Sequence, residues 1–173
     1  MRPNTKIIDL GAQLNGQPVL EITLSNAQAA VTLFSFGATL QSFAIALPGF
    51  AKRDVVLGYP NWKDYQKTFD YSSNAYLGAI IGPIAGRISK ARIPFQADAF
   101  QFEANEGQHL LHGGKTCFSN VNWSLLSYEE QPYPQVTFFV ETVAYNIALP
   151  GNLRAEVTYT LKEYELAIQI KCI

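Results

Sequence analysis

Apolar and polar residues alternate one by one through long stretches of this 173-residue chain, most cleanly near its C-terminus. Val157, Tyr159 and Leu161 alternate with Glu156, Thr158 and Thr160. After the polar turn Lys162-Glu163-Tyr164-Glu165, the residues Leu166, Ile168, Ile170 and Cys172 alternate with Gln169 and Lys171. A period of two sends successive side chains to opposite faces, so this segment predicts a β-hairpin with one face buried and the other polar or half-buried. Similar runs at 18–24 (PVLEITL), 30–36 (AVTLFSF), 38–46 (ATLQSFAIA) and 136–143 (VTFFVETV) predict further strands. Shorter candidates lie at 54–58 (DVVLG), 92–103 (RIPFQADAFQFE) and 123–128 (WSLLSY). Gly16, Gly37, Pro48-Gly49, Gly107 and Pro150-Gly151 punctuate the runs at turns. Only 61–67 (NWKDYQK) reads as a short helix. Many short strands with so little helix predict an all-β protein, an antiparallel sandwich or barrel. No linker, repeat or low-complexity segment divides the chain, so residues 1–173 are expected to form one domain.

Composition narrows the function classes. Hydrophobic residues make up 48% of the chain and charged residues 16%, which excludes a disordered protein. The net charge of −1 leaves no basic excess to neutralise phosphates, so nucleic acid is not an expected partner. The start, MRPNTKIIDL, lacks the apolar core and cleavage region of a signal peptide. The longest apolar run, Tyr76 to Gly86, is too short to cross a bilayer and ends at Arg87. Gly78, Gly82 and Gly86 copy the spacing of a membrane helix-pairing motif, which carries no weight without a spanning helix. Cys117 and Cys172 fit reduced thiols in a cytoplasmic protein better than a disulfide framework. Asn122-Trp123-Ser124 is a formal glycosylation sequon with no meaning unless the chain is secreted. No phosphate-binding loop, dinucleotide fingerprint or zinc-type spacing is present, so neither a cofactor nor a metal is expected.

The stretch 109–118, HLLHGGKTCF, holds both histidines of the chain, His109 and His112, beside a Gly-Gly pair. Histidine is the side chain best suited to move a proton near neutral pH. It is also a common buried polar residue with no chemical duty, and the stretch alone does not decide between the two.

Four stretches read together resemble the aldose 1-epimerase (galactose mutarotase) family. FGATLQSFAIALPGFAKRDVVLGYPNWKDYQ (36–66) is similar to the family's opening, and LGAIIGPIAGRISKARIPF (77–95) to its glycine-rich segment around an Asn-Arg-Ile triplet. NEGQHLLHGGKTCFSNVNW (105–123) is similar to its NNGPNSLHGG segment, and LPGNLRAEVTYTLKEYEL (149–166) to its PGNL hairpin. Order and spacing agree from about residue 30 to the C-terminus, and LHGG with PGNLxxxVTYTL in register is the specific part.

The resemblance implies a galactose mutarotase-like antiparallel β-sandwich and the interconversion of the α and β anomers of a free aldose, such as galactose or glucose. Ring opening needs one proton delivered to the ring oxygen and another removed from the anomeric hydroxyl. In the family a histidine is the acid and a glutamate the base, while an arginine and a second histidine hold the sugar. His112 matches the sugar-holding histidine, and the paired glycines after it suit a close approach or a tight turn. Arg87 matches the arginine of the triplet; a guanidinium offers several fixed donors to neighbouring hydroxyls, although a surface ion pair is its ordinary use. Asn105 matches the first asparagine of NNG. Phe118 is the better of two stacking candidates, Trp123 being expected in the core. His109 stands where the family usually has asparagine and reads as a rim residue; Glu103, Glu106 and Lys115 read as solvated, and Cys117 as a small hydrophobe.

The chain departs from the pattern at Gly86, Pro83 and Glu106, which stand in place of the triplet's asparagine, an arginine and the second NNG asparagine. In the family the acid and the base lie beyond the position corresponding to Ile173. Three readings stay open: part of an aldose 1-epimerase completed by further polypeptide, a non-catalytic carbohydrate-binding module, or a truncated product. The isolated chain is expected not to speed mutarotation. Arg87 and His112 are expected side by side in a cleft, and the strand at 166–172 is expected to leave an uncovered edge that takes a second copy or a complementary chain.

Overall fold

The computed structural model describes residues 2–14, 16–67, 75–96, 98–142 and 151–173. Strands β1 (Asn4–Leu14), β2 (Gln17–Ser25), β3 (Ala29–Phe34), β4 (Thr39–Ile45) and β5 (Arg53–Asp54) follow one another in a five-stranded antiparallel sheet. Helix α1 (Trp62–Lys67) comes next. Then come β6 (Arg87–Ile88), β7 (Arg92–Phe95), β8 (Asp98–Gln101) and β9 (Leu110–Leu111), which pair as two short antiparallel ladders, β6 with β9 and β7 with β8. Strands β10 (Ser124–Glu129), β11 (Gln135–Thr142), β12 (Leu153–Lys162) and β13 (Glu165–Cys172) form a second antiparallel sheet in that order. Val143 and Pro150, expected in a strand and at a turn, lie outside the described residues.

The two large sheets pack face to face because the alternating positions supply each with one apolar side. Ile22, Leu24, Val31 and Leu33 from the first sheet meet Val136, Phe138, Ala155, Val157, Tyr159 and Leu161 from the second, and Trp123 lies among them. All are fully buried, and each buried Val, Leu, Ile or Phe is worth roughly 1.5–3 kcal/mol of transfer free energy. The Tyr159 hydroxyl donates to the Ala38 carbonyl at 2.6 Å, tying the sheets together, and burial pushes its ionisation well above the usual tyrosine range. A polar pivot joins the first sheet to the strand that opens the second. Ser35 Oγ donates to Asn122 Oδ1 at 2.7 Å and accepts from the Leu20 N–H, while the Trp123 N–H donates to the Ser35 carbonyl.

The outer side of the first sheet is covered as well. Trp62 and Tyr65 of α1 pack on Val19, Phe34 and Phe36, and Leu10, Ala12 and Leu14 of β1 join them, while Ile7 faces the inter-sheet core. The covered face of β1 switches at Ile7–Ile8, which breaks its alternation into two short runs of opposite phase. The run 92–103, expected as one strand, is a hairpin instead: β7 and β8 pair with Phe95 opposite Asp98. Gln96 turns there with a left-handed φ of 56°, although no glycine or asparagine signals the turn. The C-terminal hairpin turns where expected, and its register sets Lys162 opposite Glu165. Its expected burial holds only for β12: Ile168 and Ile170 on β13 are 47% and 54% exposed. Among the described residues no helix is long and apolar enough to cross a membrane.

Candidate functional site

The short β6–β9 ladder brings together residues that are distant in the chain. Arg87 pairs with Leu111 and Ile88 with Leu110. One step further the His112 N–H donates to the Gly86 carbonyl at 3.0 Å. The Gly86 N–H in turn donates to Nδ1 of the His112 ring at 3.1 Å. An accepting Nδ1 leaves the proton on Nε2, so the neutral ring presents a donor there. Desolvation by partial burial lowers the His112 pKa, the Arg87 charge lowers it further, and Glu106 opposes both. The Tyr76 ring meets the imidazole edge to face, with centroids 4.9 Å apart.

Glycine makes this layer possible. His112 itself has a left-handed φ of 52°, and Gly113 and Gly114 follow with φ of 84° and 77°. A Cβ on Gly113 would lie 3.2 Å from the Gly82 carbonyl oxygen and one on Gly114 3.0 Å from Leu110 Cδ1, so the pair serves both the turn and a close approach. Gly82 is tighter still: a Cβ there would meet the Phe118 ring at 2.3 Å, and the Phe118 N–H donates to the Gly82 carbonyl at 2.8 Å. The run Tyr76 to Gly86 is thus an irregular close-packed connection.

Arg87 and Glu106 form a forked ion pair: Arg87 Nε donates to one carboxylate oxygen and Nη2 to the other, the second at 2.7 Å. Glu106 is carried there by a tight turn in which the His109 N–H donates to its carbonyl at 2.9 Å. The bond from Arg87 holds the Glu106 carboxyl below the usual glutamate range, and Glu106 raises Arg87. Glu106 is therefore paired, contrary to its reading as a solvated charge. The pair leaves the remaining guanidinium N–H groups for another acceptor.

The other sequence candidates sit apart from this cluster or support it. Asn105 bonds along the chain, with Oδ1 accepting from the Leu111 N–H at 2.6 Å and Nδ2 donating to the Leu111 carbonyl at 3.0 Å. That clamp positions β9 and so His112. Phe118 is only 3% exposed; its ring packs edge to face on Trp123, whose indole N–H donates to the Phe118 carbonyl at 2.9 Å. This is a core placement, because Gly82 and Trp123 take up its surroundings. His109 Nδ1 accepts from the Lys90 N–H at 3.3 Å. Glu103 is ion-paired with Lys115 at the surface. Cys117 is buried beside Ser119 Oγ at 3.1 Å, and burial raises its thiol pKa. Tyr76 and the Gly86 backbone carried no signal in the sequence, because a ring contact and a backbone donor depend on how loops meet.

A cleft of about 760 Å³ runs past Phe118, Val121, Asn122, Phe139 and Glu141. Arg87, His112 and Asn105 are not among its walls, and its Glu141 is taken by Arg154 at 2.7 Å. The candidate site is therefore placed by the hydrogen bonds around His112. Among the described residues no three His, Cys, Asp or Glu side chains converge on a point that could hold a metal ion.

An antiparallel β-sandwich with this polar layer against one region defines the fold class. The aldose 1-epimerase family model matches residues 21–173, and the chain belongs to that family. It is 34% identical over 150 residues to an aldose 1-epimerase of Escherichia coli strain K12, covering 86% of this chain and 41% of that protein. It is 30% identical over 161 residues to a galactose mutarotase of Mus musculus, covering 90% and 43%. Among solved structures, a galactose 1-epimerase from Lactobacillus acidophilus superposes with a TM-score of 0.82 at 24% identity, covering 99% of this chain and 48% of that one. A GalM/aldose epimerase homologue from C. elegans superposes at 0.78 with 27% identity, covering 89% and 46%. The chain thus spans less than half the length of these relatives.

Proposed function

We propose that this chain supplies the sugar-holding half of an aldose 1-epimerase site, binding a free aldohexose such as galactose or glucose. His112 and Arg87 are the binding residues, Asn105 positions His112, and Phe118 backs the loop as a core residue. The observation that carries the reading is the reciprocal bonding of His112 and Gly86 beside Arg87. It fixes a neutral imidazole with its Nε2 proton available next to a guanidinium with N–H groups to spare. Two fixed donors of that kind suit the ring oxygen and a neighbouring hydroxyl of a pyranose.

Proton transfer at the anomeric centre then falls to groups from outside this chain. Both histidines have Nδ1 engaged by a backbone N–H, and Arg87 occupies both Glu106 carboxylate oxygens and lowers their basicity. General acid and base contributions are each typically worth about 10²–10⁴-fold, so the chain by itself binds sugar without turning it over. The same observation supports the second reading, a carbohydrate-binding module with no turnover. Titration of galactose into the purified chain, followed by NMR of the imidazole, tests the binding. The expected result is a galactose-dependent shift of the His112 signal that is lost in Arg87→Ala. A silent His112 signal at tens of millimolar sugar would refute the site. Polarimetry on freshly dissolved α-glucose reads the turnover, and acceleration at micromolar protein would show that a proton-transfer pair lies within this chain.

A further inference from the structure

We infer that Glu106 sets the substrate class of the Arg87–His112 site, admitting neutral sugars and rejecting those that carry a carboxylate or phosphate at C6. The inference rests on the reading of Arg87 and His112 as sugar-holding residues. Glu106 and His109 close a two-residue turn: the His109 N–H donates to the Glu106 carbonyl at 2.9 Å, and the Glu106 N–H to the His109 carbonyl at 3.2 Å. Gly107 supplies the left-handed φ of 57° that such a turn needs. Asn105, next to Glu106, is clamped to both backbone groups of Leu111, the residue before His112. The backbone that carries Glu106 is thus tied to the backbone that carries His112, and the fork to Arg87 fixes the carboxylate itself.

Arg87 alone would attract anions, because a guanidinium matches a carboxylate or a phosphate with paired N–H groups. Glu106 already fills that role, so the pair carries no net charge. The His112 ring, its pKa held below the ordinary 6.5, adds no charge at neutral pH. A sugar anion would have to share one cation with Glu106, and two carboxylates on one site repel each other. What the pair offers instead is a donor beside an acceptor. The guanidinium keeps N–H groups beyond the two in the fork, and each carboxylate oxygen keeps a lone pair. A hydroxyl both donates and accepts, so it satisfies both partners at once; a carboxylate only accepts and leaves Glu106 facing like charge. The place of the charge on the sugar matters as well. In a pyranose C6 hangs on C5, which is bonded to the ring oxygen, so an anion at C6 lies close to whatever holds that oxygen.

Galactose and galacturonate, which differ only in a hydroxymethyl group against a carboxylate at C5, are the probes. Each is titrated into the purified chain at neutral pH and low ionic strength, with the His112 imidazole signal as the readout. Galactose is expected to bind roughly fivefold more tightly than galacturonate. Glu106→Gln keeps the shape of the side chain and removes its charge, and it is expected to abolish or reverse that preference. Glu106→Asp keeps the charge on a shorter side chain and is expected to retain the preference, which a purely steric role would not predict. Salt gives a readout that needs no variant. About 1 M sodium chloride cuts the screening length to about 3 Å and is expected to narrow the wild-type preference, whereas steric rejection would not change. If galactose itself leaves the His112 signal unmoved, the sugar-holding reading falls and this inference with it. Galactose binding with galacturonate bound equally well, or a preference that neither Glu106→Gln nor salt changes, would overturn this inference alone.

Discussion

The sandwich core and the layer that carries Arg87 and His112 are held by different physics. The core rests on long ladders and on large side chains with no solvent exposure, such as Trp123, Phe138 and Tyr159. The layer has two-residue strands, left-handed turns and a small satellite cluster of Ala91, Phe102 and Leu110. Its shape comes from single hydrogen bonds: the Asn105 clamp, the Gly86–His112 exchange and the Arg87–Glu106 fork. A core built by area loses stability smoothly when atoms are removed. A layer built by single contacts loses geometry first, while the fold survives.

The comparison breaks most visibly in the core. Phe138→Ala removes a fully buried ring that packs on Tyr159 and is expected to cost about 3–5 kcal/mol, measured by urea denaturation. A cost below about 1 kcal/mol would mean that the two sheets do not share one core. Gly82→Ala probes the seam between the regions, because its Cβ would press on Phe118 at 2.3 Å. Overpacking of this kind is expected to cost about 1–3 kcal/mol. Adding Phe118→Leu should give a double-mutant cost well below the sum of the two single costs.

Asn105→Ala removes both bonds to Leu111 and is expected to cost about 1–2 kcal/mol. In contrast to the core variants, it should weaken galactose binding more than its stability loss explains. The pH dependence comes next in size. The folded state holds His112 below its ordinary value of 6.5, so the unfolded chain takes up the proton first. Stability is therefore expected to fall as the pH drops from 6.5 through the lowered value of the folded state, and His112→Gln should remove that slope. A slope unchanged by the substitution would assign it to other groups. The smallest effect on stability is expected for Glu106→Gln, because its pair with Arg87 lies at the surface. It should leave the urea midpoint unchanged and alter galactose affinity by freeing the guanidinium fork; unchanged affinity would show that the fork does not orient Arg87 toward sugar.

Much of the sandwich was legible because alternation is a local property. A half-buried strand must place apolar residues two apart, and β2, β3, β4, β11, β12 and β13 do so wherever one face meets the core. Strand β1 escaped because its covered face switches at Ile7–Ile8, which breaks the alternation. The β7–β8 hairpin escaped because it turns at Gln96 without a usual turn residue. At the candidate site the sequence pointed to Arg87, His112 and Asn105 through their matches to the family pattern. It read Glu106 as solvated and Phe118 as a stacking face.

The sequence by itself determined the strand-rich class, the C-terminal hairpin with its turn, and the family to which the chain belongs. Periodicity and motif spacing are written into consecutive residues. Only the tertiary structure decided that Glu106 closes on Arg87, that Gly86 presents its N–H to His112, and that Phe118 is sealed against Gly82 and Trp123. Only it showed that Ile168 and Ile170 lie open while Val157 and Tyr159 beside them are buried. Each of these depends on which segments meet in space, and the alternation along a strand is the same whether or not another sheet covers it.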